Sequence, residues 1–332
     1  MRILVKISAS TEVAVLRERV TRWLDAGIDG VVAGDHLFSV GSSTTRSPAQ
    51  SRVEPYVLLA AVAALSDRLD LATIVSNYTI RHPVHILREV AQLVALAGAD
   101  RVWAGFGAGW NAIEYEAVGS TMPPLRDRLH ELGRTVELAQ SLFAGKIVSE
   151  EGAAAGFPLS PALDKAPRLL FGGGSSGLLE LAARHGDHLD VNTPPGIEPQ
   201  SASRSGCRAR DSDTRRRLRT SVAAVRDHAR RWRELRHTLG REESGTTSVT
   251  LSALRLCGRE EKNKYAERYA QALGIPRIDL DDCAYTLFGE RAELRERVAQ
   301  RYADGHLDWL VVPDGEDALR LREEVLTPAG VG

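Results

Sequence analysis

Residues 69–107 read LDLATIVSNYTIRHPVHILREVAQLVALAGADRVWAGFG. An apolar run, LDLATIVS (69–76), is followed by a polar stretch, then by a helix-period segment over 84–98, then by a second apolar run, DRVWAGFG (100–107). Both runs are continuous rather than alternating. Strands of a parallel sheet buried on both faces read this way, and a helix between two of them makes a β-α-β unit.

The same alternation extends in both directions. RILVKI (2–7) reads as a strand, 13–28 as a helix stopped at Gly27, GVVAG (30–34) as a strand and 55–66 as a helix. Downstream come a helix over 125–143, strand RLLFGG (168–173), helix 176–185, strand HLDVN (188–192) and a long Arg-rich helix over 214–238. Strand 248–256, helices 260–273 and 290–304, strand LDWLVV (307–312) and helix 316–325 complete the pattern. Residues 39–53 and 194–213, rich in Ser, Gly, Pro and Arg, read as loops. Eight strands, each followed by helix, predict an α/β protein: a (β/α)8 TIM barrel in one domain spanning 1–332. On pattern alone an open doubly wound sheet is the alternative.

Composition narrows the function. The 332 residues carry a net charge of −1 and are 43% hydrophobic. That supports a large core and gives no global attraction to nucleic acid or an anionic membrane. No run approaches the ~20 apolar residues of a membrane span, and Met1-Arg2 leads straight into a strand rather than a leader. Cys207, Cys257 and Cys283 form no CxxC pair, so neither a disulfide framework nor a zinc site is expected, and a reducing cytoplasm is the expected compartment. The Arg-rich stretch 204–236 has apolar positions at helical spacing and reads as a barrel helix with a solvated basic face rather than an RNA surface.

Barrel chemistry collects where strands end. Strand two ends on Asp35-His36, strand three on SNYTIRHP (76–83), strand four on GAGWNAIEYEAVG (107–119), strand five on GGGSSG (172–177). Asp35 and His36 leave the core at the mouth, unless Asp35 only caps a turn. The Gly-Ser run brings backbone amides and a helix N-terminus together, an arrangement that favours a phosphate, unless it is only a serine-capped turn.

At these residues the chain resembles the luciferase-like monooxygenase superfamily, and most closely the branch using the deazaflavin coenzyme F420. AGDHLF, the 69–119 block, APRLLFGGGSSGLLELAARHGDHLDVN and TLFGERAELRERVAQRYADGHLDWLVV carry the resemblance. It implies a bacterial luciferase-like barrel with an insertion between strands four and five (about 107–167), a variable region over 194–246, and a homodimer. It implies coenzyme F420, or FMN as the alternative, lying across the mouth. Asp35 and His36 then border the ring, Thr73-Ile74 matches a non-proline cis peptide behind it, Ala108 and Gly109 line its other side, and Gly173, Gly174, Ser175 and Ser176 hold its phosphate. The chain departs from the sugar-phosphate dehydrogenases of the branch at Val40, where those place Trp, and at Trp110, where they place Glu. Without that Glu, alcohol oxidation lacks a proton-transfer group.

The resulting expectation is a reductase. Reduced F420 delivers a hydride to an activated C=C or C=N bond of a small molecule or a peptide, such as a natural-product intermediate or a dehydroamino acid. His36 bonds the ring or donates the proton, since imidazole titrates near neutrality, and Asp35 orients it. Arg52, Glu54, Arg81 and Trp110 are candidate substrate contacts, and His82, before Pro83, is structural. Two other readings are an FMNH2-dependent monooxygenase and a barrel that binds cofactor or peptide without catalysis. No metal is expected.

Overall fold

The computed structural model describes residues 1–7, 12–38, 52–149, 156–192, 217, 219–241, 245–273, 277, 280, 282–302 and 307–326. Expectations for 39–51, with Val40, for 193–216, with Cys207, and for the start of the Arg-rich helix lie outside these residues.

The elements that build the barrel are β1 (Arg2–Lys6), α1 (Val13–Asp25), β2 (Gly30–Ala33), α2 (Pro55–Leu65), β3 (Asp70–Thr73), β4 (Ser76–Asn77), α3 (Pro83–Ala97) and β5 (Val102–Gly107). They continue with α4 (Ala112–Ala117), α5 (Leu125–Phe143), β6 (Arg168–Gly173), α6 (Ser176–His185) and β7 (His188–Val191). After helix Val222–Thr238 come β8 (Thr246–Thr250), β9 (Ala253–Leu256), β10 (Thr286–Gly289) and β11 (Trp309–Pro313). All pairings in the main sheet are parallel, in the order β3-β2-β1-β11-β8-β7-β6-β5-β4, and β3 also pairs with β5. That last pairing closes the sheet into a (β/α)8 barrel, with β3 and β4 as two halves of one barrel strand.

Local sequence places the helices. Glu54 caps α2, its Oε2 accepting from Val57 N–H at 2.7 Å ahead of Pro55. His82 caps α3 in the same way, Nδ1 accepting from Val84 N–H at 3.3 Å. Proline in the first helical turn loses no bond the helix would have used.

Side-chain alternation divides each strand between two cores. Outward residues join the large core under the helices. Inward residues Leu4, Val32, Ala72, Ile74, Trp103, Leu170, Trp309 and Val311 fill the lumen. His188 stacks on Trp309 at 3.9 Å, its ring nitrogens bonded to Thr246 Oγ1 and Ser248 Oγ, each at 2.8 Å. The barrel is therefore a packed plug below and open chemistry only above.

Two strands differ from the expectation. The run 248–256 is not one strand. It leaves the barrel after Thr250, and Ala253–Leu256 pairs with Thr286–Gly289 in a separate two-stranded parallel sheet. The cause is a change of partner: Leu251 N–H still bonds Val311 O at 2.8 Å, but Ser252 N–H bonds Tyr285 O at 2.7 Å. The run 69–76 is likewise interrupted, at Ile74-Val75. No described helix is long and apolar enough to cross a membrane.

Candidate active site

The interruption in the third barrel strand shapes the mouth. The cis peptide lies between Ile74 and Val75, one residue after the expected Thr73-Ile74. Ile74 N–H still bonds Ala33 O at 2.8 Å, so the regular ladder runs one residue further than the resemblance implied. Thr73 Oγ1 accepts from Gly105 N–H at 3.0 Å and from Ser76 Oγ at 3.1 Å, and Ser76 Oγ is bonded to Tyr56 OH at 2.7 Å. These groups sit behind the reversal and fix it to the neighbouring strand.

Val75 then projects over β5 and β6. A Cβ at Gly107 would lie 2.2 Å from Val75 Cγ2, and one at Gly172 would lie 2.8 Å from Cγ1. Only hydrogen fits at both positions. This side of the mouth is a floor of one aliphatic side chain and bare backbone, flat enough for an aromatic ring.

His36 stands beside that floor. Its Nδ1 lies 3.1 Å from Glu114 Oε1, which also accepts from Leu37 N–H at 2.9 Å. The His36 ring meets Trp110 edge-on at 5.8 Å. Glu114 is 2% exposed whereas Trp110 is 47% exposed. A carboxylate at Nδ1 fixes the proton on that atom and leaves Nε2 as the working nitrogen. No described residue bonds Nε2.

Glu114 was not visible as a site residue in the sequence. It occupies the first turn of α4, three residues after Asn111, the spacing of an ordinary capping pair. Asn111 makes no side-chain cap, and the carboxylate reaches across to strand two instead. The orienting role expected of Asp35 therefore belongs to Glu114. Asp35 faces the other way: its Oδ2 accepts from Asn77 N–H at 3.3 Å and lies 3.6 Å from Arg81. Burial pushes the Asp35 carboxyl up, against the opposing pull of Arg81.

Arg81 also reaches Glu89 at 2.9 Å and Glu54 at 3.4 Å, and Glu54 caps α2. The polar atoms of these two candidate substrate contacts are thus engaged in the wall. Arg52 is half-buried, with its backbone N–H on Leu37 O at 3.0 Å and its Nε buried without a partner. Ala108 and Gly109 both offer their carbonyls to the Arg128 guanidinium, and Gly109 has φ +67°.

The glycine-serine run lies where β6 ends. Ser175 caps α6, its Oγ accepting from Leu178 N–H at 3.3 Å, and Gly173 and Ser175 are half-buried while Gly174 is buried and Ser176 exposed. Helix N-terminal amides here face the same mouth as His36. From β2 to β6 is three strand steps (β2–β3–β5–β6), about 14 Å along the wall at about 4.8 Å each. That span suits one tricyclic ring with a phosphate-bearing tail. Among the described residues no cluster of His, Cys, Asp and Glu could hold a metal.

The luciferase-like monooxygenase family model matches residues 2–308. The chain belongs to the luciferase-like monooxygenase family. Among curated family relatives, it is 25% identical over 177 residues to an F420-dependent glucose-6-phosphate dehydrogenase of Kineococcus radiotolerans, covering 52% of this chain and 51% of that one. It is 29% identical over 135 residues to an uncharacterised protein of Mycobacterium bovis, covering 40% and 46% respectively. The chain thus spans about half the length of the curated relatives it matches. An F420-dependent secondary alcohol dehydrogenase in complex with an F420-acetone adduct shares the fold, with TM-score 0.72, 16% identity and coverage of 98% and 97%. So does a riboflavin lyase with modified FMN, with TM-score 0.73, 14% identity and coverage of 98% and 90%.

Proposed function

We propose that this luciferase-like protein is a cytoplasmic, coenzyme F420-dependent reductase acting on an activated C=C or C=N bond of an organic substrate. The observation that carries this reading is the His36–Glu114 pair at the edge of a floor made of Val75 and bare glycine backbone, three strands from a serine-capped helix N-terminus. The F420-dependent dehydrogenase relative supports the choice of deazaflavin over FMN.

The residues fit such a cofactor. Val75, Gly107 and Gly172 back its ring, and Gly173, Gly174, Ser175 and Ser176 take its phosphate through backbone amides. Bound in its reduced form, the deazaflavin supplies a hydride. The protein supplies the matching proton. Glu114 holds His36 at Nδ1, and Nε2–H donates to the substrate atom that gains negative charge. The two additions together saturate one double bond. The chain works as a homodimer, with a small molecule or a modified peptide as substrate.

The test is a parallel titration of the purified chain with F420 and with FMN, followed by cofactor fluorescence. Saturable F420 binding, with loss of turnover in His36→Ala, is expected. Tight FMN binding without F420 binding assigns the barrel to the flavin monooxygenases instead.

A further inference from the structure

The floor on the β3–β6 side of the mouth is built from Val75, Gly107 and Gly172. The β1, β7 and β8 side carries Lys6, Asp190 and Thr250, each at the last inward position of its strand. Lys6 Cε and His36 Cδ2 each lie 3.6 Å from the point where a Cβ on Gly34 would stand, so the lysine reaches the imidazole's side of the ring floor.

Two guanidinium groups bear on Lys6. Arg217 lies over the Tyr285 ring, its carbon 4.5 Å from the centroid, and donates to Thr250 O. Arg52 enters from the segment beside Leu37. Both repel the Lys6 ammonium, and among the described residues Asp190 attracts it. Asp190 is fully buried, and its Oδ1 is taken by Ser248 Oγ at 2.7 Å and Thr250 Oγ1 at 3.0 Å. Its Oδ2 is buried with no partner, as are Nε of Arg52 and Nε of Arg217. The Lys6 ammonium has no hydrogen bond to any described residue. Three cations thus share one anion in a desolvated recess, where unmatched charge is costly. Desolvation first, and then repulsion from Arg217, bring the Lys6 ammonium down to about 8.

We infer that Lys6, Arg217 and Arg52 form an oxyanion-binding recess that holds the carboxylate or phosphate of an anionic substrate beside His36. A carboxylate or phosphate there supplies the missing negative charge and accepts from the ammonium and both guanidinium groups. It also places the substrate's reactive bond next to the imidazole and over the floor. Calling the ligand a substrate rests on the proposed function; the anion recess itself does not.

The experiment uses the full chain with lysine labelled at 13Cε. The sequence has five lysines, and the Lys6 resonance is assigned by its loss in Lys6→Met. Succinate and inorganic phosphate serve as separate probes. Either probe, at saturation, is expected to raise the Lys6 titration midpoint by about one pH unit or more, as an opposite charge at contact distance does. Arg217→Met is expected to weaken that probe at least about tenfold, equivalent to about 1.4 kcal/mol, while Lys6→Arg retains binding. Affinity is lost as pH rises through the lysine's midpoint. The stronger probe distinguishes a carboxylic acid from a phosphate ester. A Lys6 resonance unmoved by both probes overturns the proposal. So does a Lys6→Met variant that folds but no longer binds F420, because Lys6 then serves the cofactor. Failure of the wild-type chain to bind F420 overturns the proposed function alone, and the lysine resonance still decides the recess.

Discussion

His36 Nδ1 and Glu114 Oε1 are 3.1 Å apart, although 78 positions separate them in the chain. The carboxylate is almost completely buried and its second commitment is the backbone N–H of Leu37. One side chain therefore fixes both the ring and the loop that carries it. In Glu114→Gln the amide keeps one acceptor but loses the negative charge that faces Nδ1. Turnover is expected to fall about 10²-fold or more, within the range a general acid contributes. F420 affinity, read by fluorescence titration, is expected to stay within about threefold, since the proposed cradle for the tail lies at the end of β6, away from Glu114. A variant that turns over normally sinks the assignment of His36 as the proton donor.

The floor makes a separate prediction. Gly107→Ala forces a Cβ to 2.2 Å from Val75 Cγ2. Overpacking of this kind costs about 1–3 kcal/mol, and here it also lifts the floor proposed to back the cofactor ring. Thermal unfolding and cofactor titration should both register the change. Val75→Ala removes the colliding methyl, so the double variant is expected to recover stability toward that of Val75→Ala alone. A non-additive cycle is the signature of direct contact, and additive losses would show that the valine is not what the glycine accommodates.

The parts of this arrangement that the sequence displays are the local ones. The apolar runs around 31, 71, 104 and 170, the helix-period segments between them and the Ser175 cap all depend on neighbours within a few residues. Partners distant in the chain leave no such trace. Periodicity says that 248–256 is buried, but not that its pairing passes from Val311 to Tyr285 halfway along. Asp35 and His36 look like a pair because they are adjacent, yet consecutive residues at a strand end point to opposite faces. Asp35 went to Arg81 and His36 to a glutamate that reads as an ordinary helix-start residue. Lys6, inside ILVKIS, reads as the one polar residue of a strand, and only barrel closure brings it to Asp190 and Arg217.

Arg81 ties three carboxylates together, and its loss should be pH-dependent. Burial holds the Asp35 and Glu89 carboxyls above their ordinary range. A group raised in the folded state contributes stability while protonated and loses it as pH rises through the folded value. With Arg81→Met, the Asp35 and Glu89 carboxyls, already raised by burial, lose their shared counter-charge. The variant is expected to be destabilised by about 1–2 kcal/mol at pH 8, less than for a fully buried pair because the guanidinium is partly exposed. At pH 5 the deficit shrinks. Urea unfolding at the two pH values reads this directly, and a deficit independent of pH would mean that packing, not charge, is what Arg81 provides.

His228, on helix Val222–Thr238, gives the opposite dependence. It is 1% exposed, and neither ring nitrogen has a partner. Burial, with Arg231 nearby, brings the imidazole down to about 4, against about 6.5 in the unfolded chain. The neutral ring is therefore what the fold accepts. Its stability is intact above about pH 6.5 and is lost as pH falls toward 4, by about 1.4 kcal/mol per pH unit in between. Leucine at this site has no nitrogen to desolvate and nothing to protonate. His228→Leu is expected to be more stable than the parent by about 1 kcal/mol at pH 7. The gap should widen by about 2 kcal/mol at pH 5. His188 also resists protonation in the folded state, but it is present in both proteins and cancels from the difference. Equal acid sensitivity of parent and variant would show that the His228 ring finds water or a partner when charged.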